Sequence, residues 1–392
     1  MRPLDGLTVL DLTRVLSGPY CTMLLADMGA RVIKIEHPER GDDTRGWGPP
    51  FLSGESAYFL SINRNKESVT LDFKTQEGRE LLDQLIAKSD VLVENFRPGT
   101  MSKLGLDYET LAPRAPRLVY CSVSGFGQTG PRRAEAGYDA VMQAEGGLMS
   151  LTGPPEGSPY RLGVAIADIV SGMFAAQGIT LALLARERTG RGQQVDIGML
   201  DAVSALLTYQ AGIYFATGAT PERMGNRHPT IVPYETFAAS DGDFVLAVGN
   251  DEQWRRFCQA AALPTDERFA TNQQRVAQYH DIRPIIAARL REETRHYWIE
   301  RLTAIGVPCG SVRDLGQLFA DPQLEARNMI TAVDHSTIGP LTLLGIPIKL
   351  SDTPGAVNTA PPTLGQHTEE VLCRDLGLPR EALERLRTQK VV

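Results

Sequence analysis

Leu7-Thr-Val-Leu-Asp-Leu12, Thr13-Arg-Val-Leu-Ser-Gly-Pro19 and Arg31-Val-Ile-Lys-Ile35 decide the architecture of this 392-residue chain. The first run is short, apolar and bounded by turn residues, as a buried strand is. Gly18-Pro19 punctuates a turn, Tyr20 to Met28 reads as a helix starting near proline, and Gly29 ends it before the third run supplies another strand. Together they predict a βαβ unit. A second unit follows in Ser68-Val-Thr-Leu-Asp-Phe73, an amphipathic helix over Gln76 to Lys88, and Asp90-Val-Leu-Val-Glu94. Leu118-Val-Tyr-Cys-Ser-Val123 and Gln194-Val-Asp-Ile197 add further strands. Strands alternating with helices at this spacing predict an α/β fold with a mostly parallel sheet covered on both faces. A dinucleotide enzyme places G-x-G-x-x-G after its first strand, whereas Thr13 to Pro19 holds one glycine, so an ordinary NAD-binding role is disfavoured.

Beyond Gly192 the pattern predicts a helical run over Met199 to Ala216, a linking segment over 201–224, and a smaller α/β segment over 225–325. The small segment carries a strand at Phe244-Val-Leu-Ala-Val248 and helices near Asp251 to Ala261, Val276 to Arg291 and Arg295 to Ile305. Residues 326–392, with Pro361-Pro362 and a helix from Thr368, are expected to return to the large domain built on residues 1–200.

Composition bounds the function. A net charge of −7 argues against a nucleic-acid or anionic-membrane partner, so an anionic ligand must be met by local basic groups. The five cysteines are odd in number and form no C-x-x-C pair, which points to a reducing, cytoplasmic setting and away from a metal site. No signal peptide is expected before Leu7, and no uninterrupted apolar run approaches the roughly 18 residues of a membrane span.

The chemistry centres on Gly163-Val-Ala-Ile-Ala-Asp168-Ile-Val-Ser-Gly172, where a Gly/Ala turn becomes a long apolar helix. An aspartate at a helix start is ordinarily a cap for free backbone N–H groups. Here small residues on both sides leave open space that a cap does not need. The helix dipole is expected to keep Asp168 ionised, and an ionised carboxylate can attack an activated carbonyl. Two glycine-rich segments, Gly41-Asp-Asp-Thr-Arg-Gly-Trp-Gly-Pro-Pro50 and Ser124-Gly-Phe-Gly-Gln-Thr-Gly-Pro131, read as connecting loops or, following strand ends, as ligand loops.

These fragments together resemble the family III CoA-transferases, the group of formyl-CoA and carnitine CoA-transferases. The resemblance runs through Leu12-Thr-Arg-Val-Leu-Ser-Gly-Pro19, Val32-Ile-Lys-Ile-Glu36, Asn63-Arg-Asn-Lys66, Glu94-Asn-Phe-Arg-Pro-Gly99, Gly137-Tyr-Asp139, Gly163 to Asp168, Thr189-Gly-Arg-Gly-Gln193 and Leu364-Gly-Gln-His-Thr368. Gly41 to Pro50, Glu55-Ser-Ala-Tyr58 and Ile231-Val-Pro-Tyr234 look most like its succinyl-CoA:glutarate (dicarboxylate) branch. The resemblance implies a Rossmann-like large domain plus a smaller α/β domain in an interlocked homodimer. It implies no permanently bound cofactor, with coenzyme A and acyl-CoA as substrates.

By the same resemblance Asp168 is the catalytic aspartate. The CoA contacts fall on Val15, His37, Leu71, Asn95, Arg97, Lys103 and Leu104, with Tyr138 near the reacting end; Val15, Leu71 and Leu104 also read as plain core. His37 stands where formyl-CoA transferase has arginine and Ala136 where it has lysine, which leaves two phosphate contacts unassigned. Leu16 replaces a glutamine of that enzyme, and its glycine-rich loop has no counterpart, which disfavours formyl and oxalate substrates. Arg14, Arg45 and His228 are candidate partners for a second substrate carboxylate, with surface or interface charge as the alternative. Two other functions share the pattern. An α-methylacyl-CoA racemase of this fold uses a histidine where this chain has Tyr138, and a phenol is a poor proton acceptor at neutral pH. A non-catalytic acyl-CoA-binding protein would need no reactive Asp168.

Overall fold

Alternate residues of the first strand, β1 (Thr8–Asp11), divide between two cores in the computed structural model, which describes residues 1–264 and 266–392. Val9 faces the helices α1 (Ser17–Asp27) and α4 (Ile166–Thr189), packing with Cys21, Leu25, Ala175 and Ile179. Leu10 faces the opposite way, toward Leu82 and Ile86 of α2 (Gln76–Ala87) and Val371 of a C-terminal helix over Thr368–Leu376. A strand buried on both faces favours apolar residues on each, and the polar positions these strands do bury, among them Asp11, Lys34, Glu36 and Lys66, are held in ion pairs.

Five more parallel strands complete the sheet: β2 (Arg31–Glu36), β3 (Lys66–Thr70), β4 (Val91–Glu94), β5 (Val119–Ser124) and β6 (Gln194–Gly198). Their order is β3-β2-β1-β4-β5-β6, with Val9 in register with both Val32 and Val91. The order reverses between β1 and β4, and ligands of open α/β sheets bind beyond the carboxyl ends of the strands at such a switch. The prediction of a parallel α/β sheet holds.

The chain divides into two compact units. The large one comprises Met1–Met149, Arg161–Gly218 and Pro322–Val392; the small one comprises Ser150–Tyr160 and Ala219–Asp321. Within the large unit the C-terminal segment grips β3 directly: Thr70 N donates to Thr368 Oγ1 at 3.0 Å, and Ser68 N to His367 Nδ1 at 3.1 Å. The expectation of a linker over 201–224 is corrected. Its first part is α5 (Met199–Ala205) and α6 (Thr208–Thr217), both in the large unit, and only Gly218, left-handed at φ +69°, ends the helical run.

In the small unit, strands Tyr234–Ala239, Gly242–Ala247 and Cys309–Ser311 pair antiparallel, and helices Asp251–Ala260, Tyr279–Leu290 and Arg295–Ala304 close a core of Phe237, Phe244, Phe257 and Trp298. In the large unit, α4 is long and apolar enough to cross a membrane by length and composition, with a mean hydropathy of 1.5. One side of it is nevertheless core, with Ala167, Val170, Ala175 and Ile179 buried.

Candidate active site

A cavity of about 480 Å³ lies where the switch in strand order puts it. Its walls are the segments that leave β1 (Leu12–Val15), β2 (His37, Arg40–Asp43), β3 (Leu71–Lys74), β4 (Asn95–Pro98) and β5 (Ser124, Gly125), with Tyr138 and Asp168 beside them.

The turn after β1 is held from four sides. Asn95 Oδ1 accepts from Arg14 N at 2.9 Å and its Nδ2 donates to Arg14 O at 2.7 Å. Asp42 Oδ1 accepts from Val15 N at 3.2 Å, and Lys34 Nζ donates to Thr13 O at 2.8 Å while pairing with Asp42 at 2.9 Å. Asp11, buried and held down to about 2 against its burial by Lys66 and Lys34, takes hydrogen bonds from Thr13 and Thr22. These contacts fix Val15 at φ +71°, a conformation a β-branched residue rarely adopts. Ser17, two residues on, opens α1, and its hydroxyl works to hold the Asp168 carboxyl down.

Asp168 is not the cap of α4. The helix starts at Ala165, which has no side-chain cap, and the free N–H of Ala167 is instead taken by Asp139 Oδ1 at 2.8 Å. Gln143, one turn along α3 (Asp139–Glu145), orients Asp139 by donating to its other oxygen at 2.7 Å. With the capping role filled from elsewhere, Asp168 is left facing the cavity. Burial pushes its carboxyl up to about 7, the Asp139 carboxylate pushes the same way, and the Ser17 hydroxyl opposes both. The expectation that the helix start keeps it fully ionised is therefore corrected: desolvation outweighs the dipole. Tyr58, packed with Leu16 and Ala165 and edge-on to Trp47 at 5.2 Å, is pushed up to about 12 by burial and by the Asp168 and Asp139 carboxylates. It stays a hydrogen-bond donor.

Of the residues expected at the site, the cavity gathers Arg14, Val15, His37, Leu71, Asn95, Arg97, Leu104, Tyr138 and Asp168. Lys103 is exposed beside Leu104 and does not line it. Leu71 is 1% exposed and packs in the core below the sheet, so its side chain is structural. Arg45 is a correction. Its Nε and Nη2 donate to the two oxygens of Glu36 at 2.7 Å, Nη1 and Nη2 each donate to Pro362 O at 3.2 Å, Nη1 pairs with Glu55 at 3.6 Å, and Phe59 lies 3.6 Å beneath the guanidinium. Its fork is occupied within the fold, leaving nothing for a substrate carboxylate. His228 belongs to the small unit, where it stacks on Tyr234 at 5.2 Å.

Arg40 and Lys74 also line the cavity and were not singled out by the sequence. Ser17, Tyr58 and Asp139 were missed because only tertiary contacts bring them to Asp168; the sole cue was Asp139 beside Tyr138. Among the described residues no group of three or more His, Cys, Asp or Glu could hold a metal ion.

Residues 4–368 match the model of CoA-transferase family III. The chain is 41% identical, over all of its length and 91% of the relative's, to succinyl-CoA:glutarate CoA-transferase of Mus musculus. It is 42% identical to acetyl-CoA:oxalate CoA-transferase of Acetobacter aceti over 89% of each. The chain belongs to CoA-transferase family III. Family membership agrees with solved structures: a CAIB/BAIF family protein from Brucella suis shares 44% identity and superposes with a TM-score of 0.85 over 95% of this chain and 99% of that one.

Proposed function

We propose that this CoA-transferase moves CoA from succinyl-CoA to a dicarboxylic acid, with Asp168 as the covalent carrier. The observation that carries the proposal is Asp168 itself: a carboxylate freed from capping by Asp139, bordering a cavity and largely shielded from water. The Asp168 carboxylate attacks the donor thioester carbonyl; the carbon–sulfur bond breaks, leaving a mixed anhydride and CoA thiolate. The thiolate then attacks the aspartyl carbonyl, releasing succinate and forming an aspartyl-CoA thioester. The acceptor carboxylate attacks that thioester, giving a second anhydride and thiolate, and the thiolate finally takes the acceptor acyl group and restores Asp168. Each intermediate would hydrolyse, so exclusion of water by the buried site is part of the chemistry.

The cationic lining offers charge for the CoA phosphates from Arg40, Lys74 and Arg97, with the His37 ring beside them. Asn95 is engaged with the Arg14 backbone and acts by shaping the turn. Arg14 lines the cavity with one nitrogen on Asp43 at 2.9 Å, and its remaining donors suit a second substrate carboxylate. The dicarboxylate reading rests on this arginine and on the two relatives, whose named acceptors, glutarate and oxalate, are both dicarboxylic acids. The functional partner is a second copy of the chain, interlocked with the first. In support, α4 exposes Met173, Leu181 and Leu184, and α6 buries none of its residues while exposing Tyr214 and Phe215.

The test is a panel of acids (glutarate, oxalate, itaconate, mesaconate, malate, citramalate, formate, acetate) incubated with succinyl-CoA and read by the mass of the CoA esters. New esters of dicarboxylates are expected. Turnover of monocarboxylates alone, or exchange of an α-proton without CoA exchange, would overturn the proposal.

A further inference from the structure

Ser124 closes β5 at the carboxyl edge of the sheet, in register with Gly198 of β6. It is only 7% exposed, and its hydroxyl oxygen has no hydrogen-bond partner among the described residues. The same residue lines the cavity. A buried hydroxyl left unpaired weakens a fold, and nearly all such groups find a partner, so a lone one on a cavity wall points to a ligand that completes it.

The surroundings say which part of the ligand. Gly125, the next residue, packs against Gly137 so tightly that a Cβ on Gly125 would fall 2.8 Å from the Gly137 Cα. Gly137 leads into Tyr138 and Asp139, and Asp139 holds the N–H of Ala167, the neighbour of Asp168. Ser124 is thereby tied to the reacting end. Val123 and Gly125, beside it in the chain, and Gly137, packed on Gly125, are uncharged residues of the wall, while the cations Arg40, Lys74 and Arg97 come from the loops after β2, β3 and β4. A neutral acceptor is what this part of the wall fits, not a phosphate.

We propose that the Ser124 hydroxyl donates a hydrogen bond to a carbonyl oxygen of the acyl-CoA arm, either a pantetheine amide or the thioester itself. The inference rests on the acyl-CoA reading above and adds a substrate-contacting residue to it. Because the hydroxyl makes no hydrogen bond among the described residues, Ser124→Ala should melt at the same temperature as the wild type or above it. It should also lose ligand affinity or turnover by about 5- to 50-fold, the range for leaving one buried ligand group unpaired. Ser124→Thr, which keeps the hydroxyl and suits a strand end, should recover most of the loss.

Three measurements on the full-length protein decide it: melting temperature, CoA binding by calorimetry, and kcat and KM for succinyl-CoA. Weaker binding of free CoA by Ser124→Ala identifies the pantetheine amide, and unchanged CoA binding with lowered kcat/KM identifies the thioester carbonyl. Wild-type binding and kinetics in Ser124→Ala would overturn the proposal, as would a drop in melting temperature matched by equal losses in Ser124→Thr. A wild-type protein that binds CoA but transfers it to no acid would sink the transferase reading alone, since calorimetry with CoA and with succinyl-CoA, which carries the thioester, still decides Ser124.

Discussion

The proposed role sets Asp168 between two demands: a nucleophile must be ionised, and a site that protects hydrolysable intermediates must be dry. Burial and the nearby Asp139 carboxylate raise its carboxyl to about 7, and the Ser17 hydroxyl pulls it back. In the proposed mechanism the ionised form attacks, so kcat/KM should be fully present above that value and fall as pH drops through about 7. Replacing Asp139 with Asn keeps an oxygen for the Ala167 N–H but removes the charge, so the acid limb should move to lower pH; Ser17→Ala should move it higher. A pH–rate profile that is flat between pH 5 and 8 in the wild type would contradict this assignment. The carboxylate itself was legible in the sequence, since small residues flank it at a helix start. Its ionisation was not, because the desolvation and the Asp139 charge arise only when α3 and α4 pack together.

At the scale of elements, the turn after β1 and the first turns of α1 and α4 form one mechanical unit. Gly172 lies one helical turn beyond Asp168, and a Cβ there would come within 2.6 Å of the Ser17 carbonyl oxygen and 3.1 Å of the Tyr20 ring. That close approach sets where the start of α1, and with it Ser17, lies against the helix that carries Asp168. Gly172→Ala should therefore cost about 1–3 kcal/mol of stability, as overpacking does, and lower kcat by at least about tenfold as Ser17 is pushed away. Thermal melts and steady-state kinetics check it; an unchanged kcat would mean the helix contact does not position the nucleophile. The strands were readable because each is a short apolar run between turn residues, and Leu7 to Ile35 falls on β1, α1 and β2. The helical run over Met199 to Ala216 was readable, but the linker boundary at 201 cut into it, because glycine and proline from Gly218 on were given too much reach backward. Arg45 was misread for a related reason: an arginine in a glycine-rich loop looks free in sequence, and only the fold brings Glu36 against it.

For the whole molecule, large apolar side chains on α4 and α6 have no cover within one chain, which a second copy would supply. Sedimentation at micromolar concentration should give the mass of two chains, about twice 42.8 kDa; a single-chain mass would leave those faces unexplained. The account as a whole stands on a covalent bond between Asp168 and CoA. The most direct measurement is to incubate the protein with succinyl-CoA alone, trap the ester with hydroxylamine or borohydride, and locate the modification by peptide mass spectrometry. The account predicts a modified Asp168 in the wild type and none in Asp168→Ala. A label on another residue, or full CoA transfer by Asp168→Ala, would contradict it.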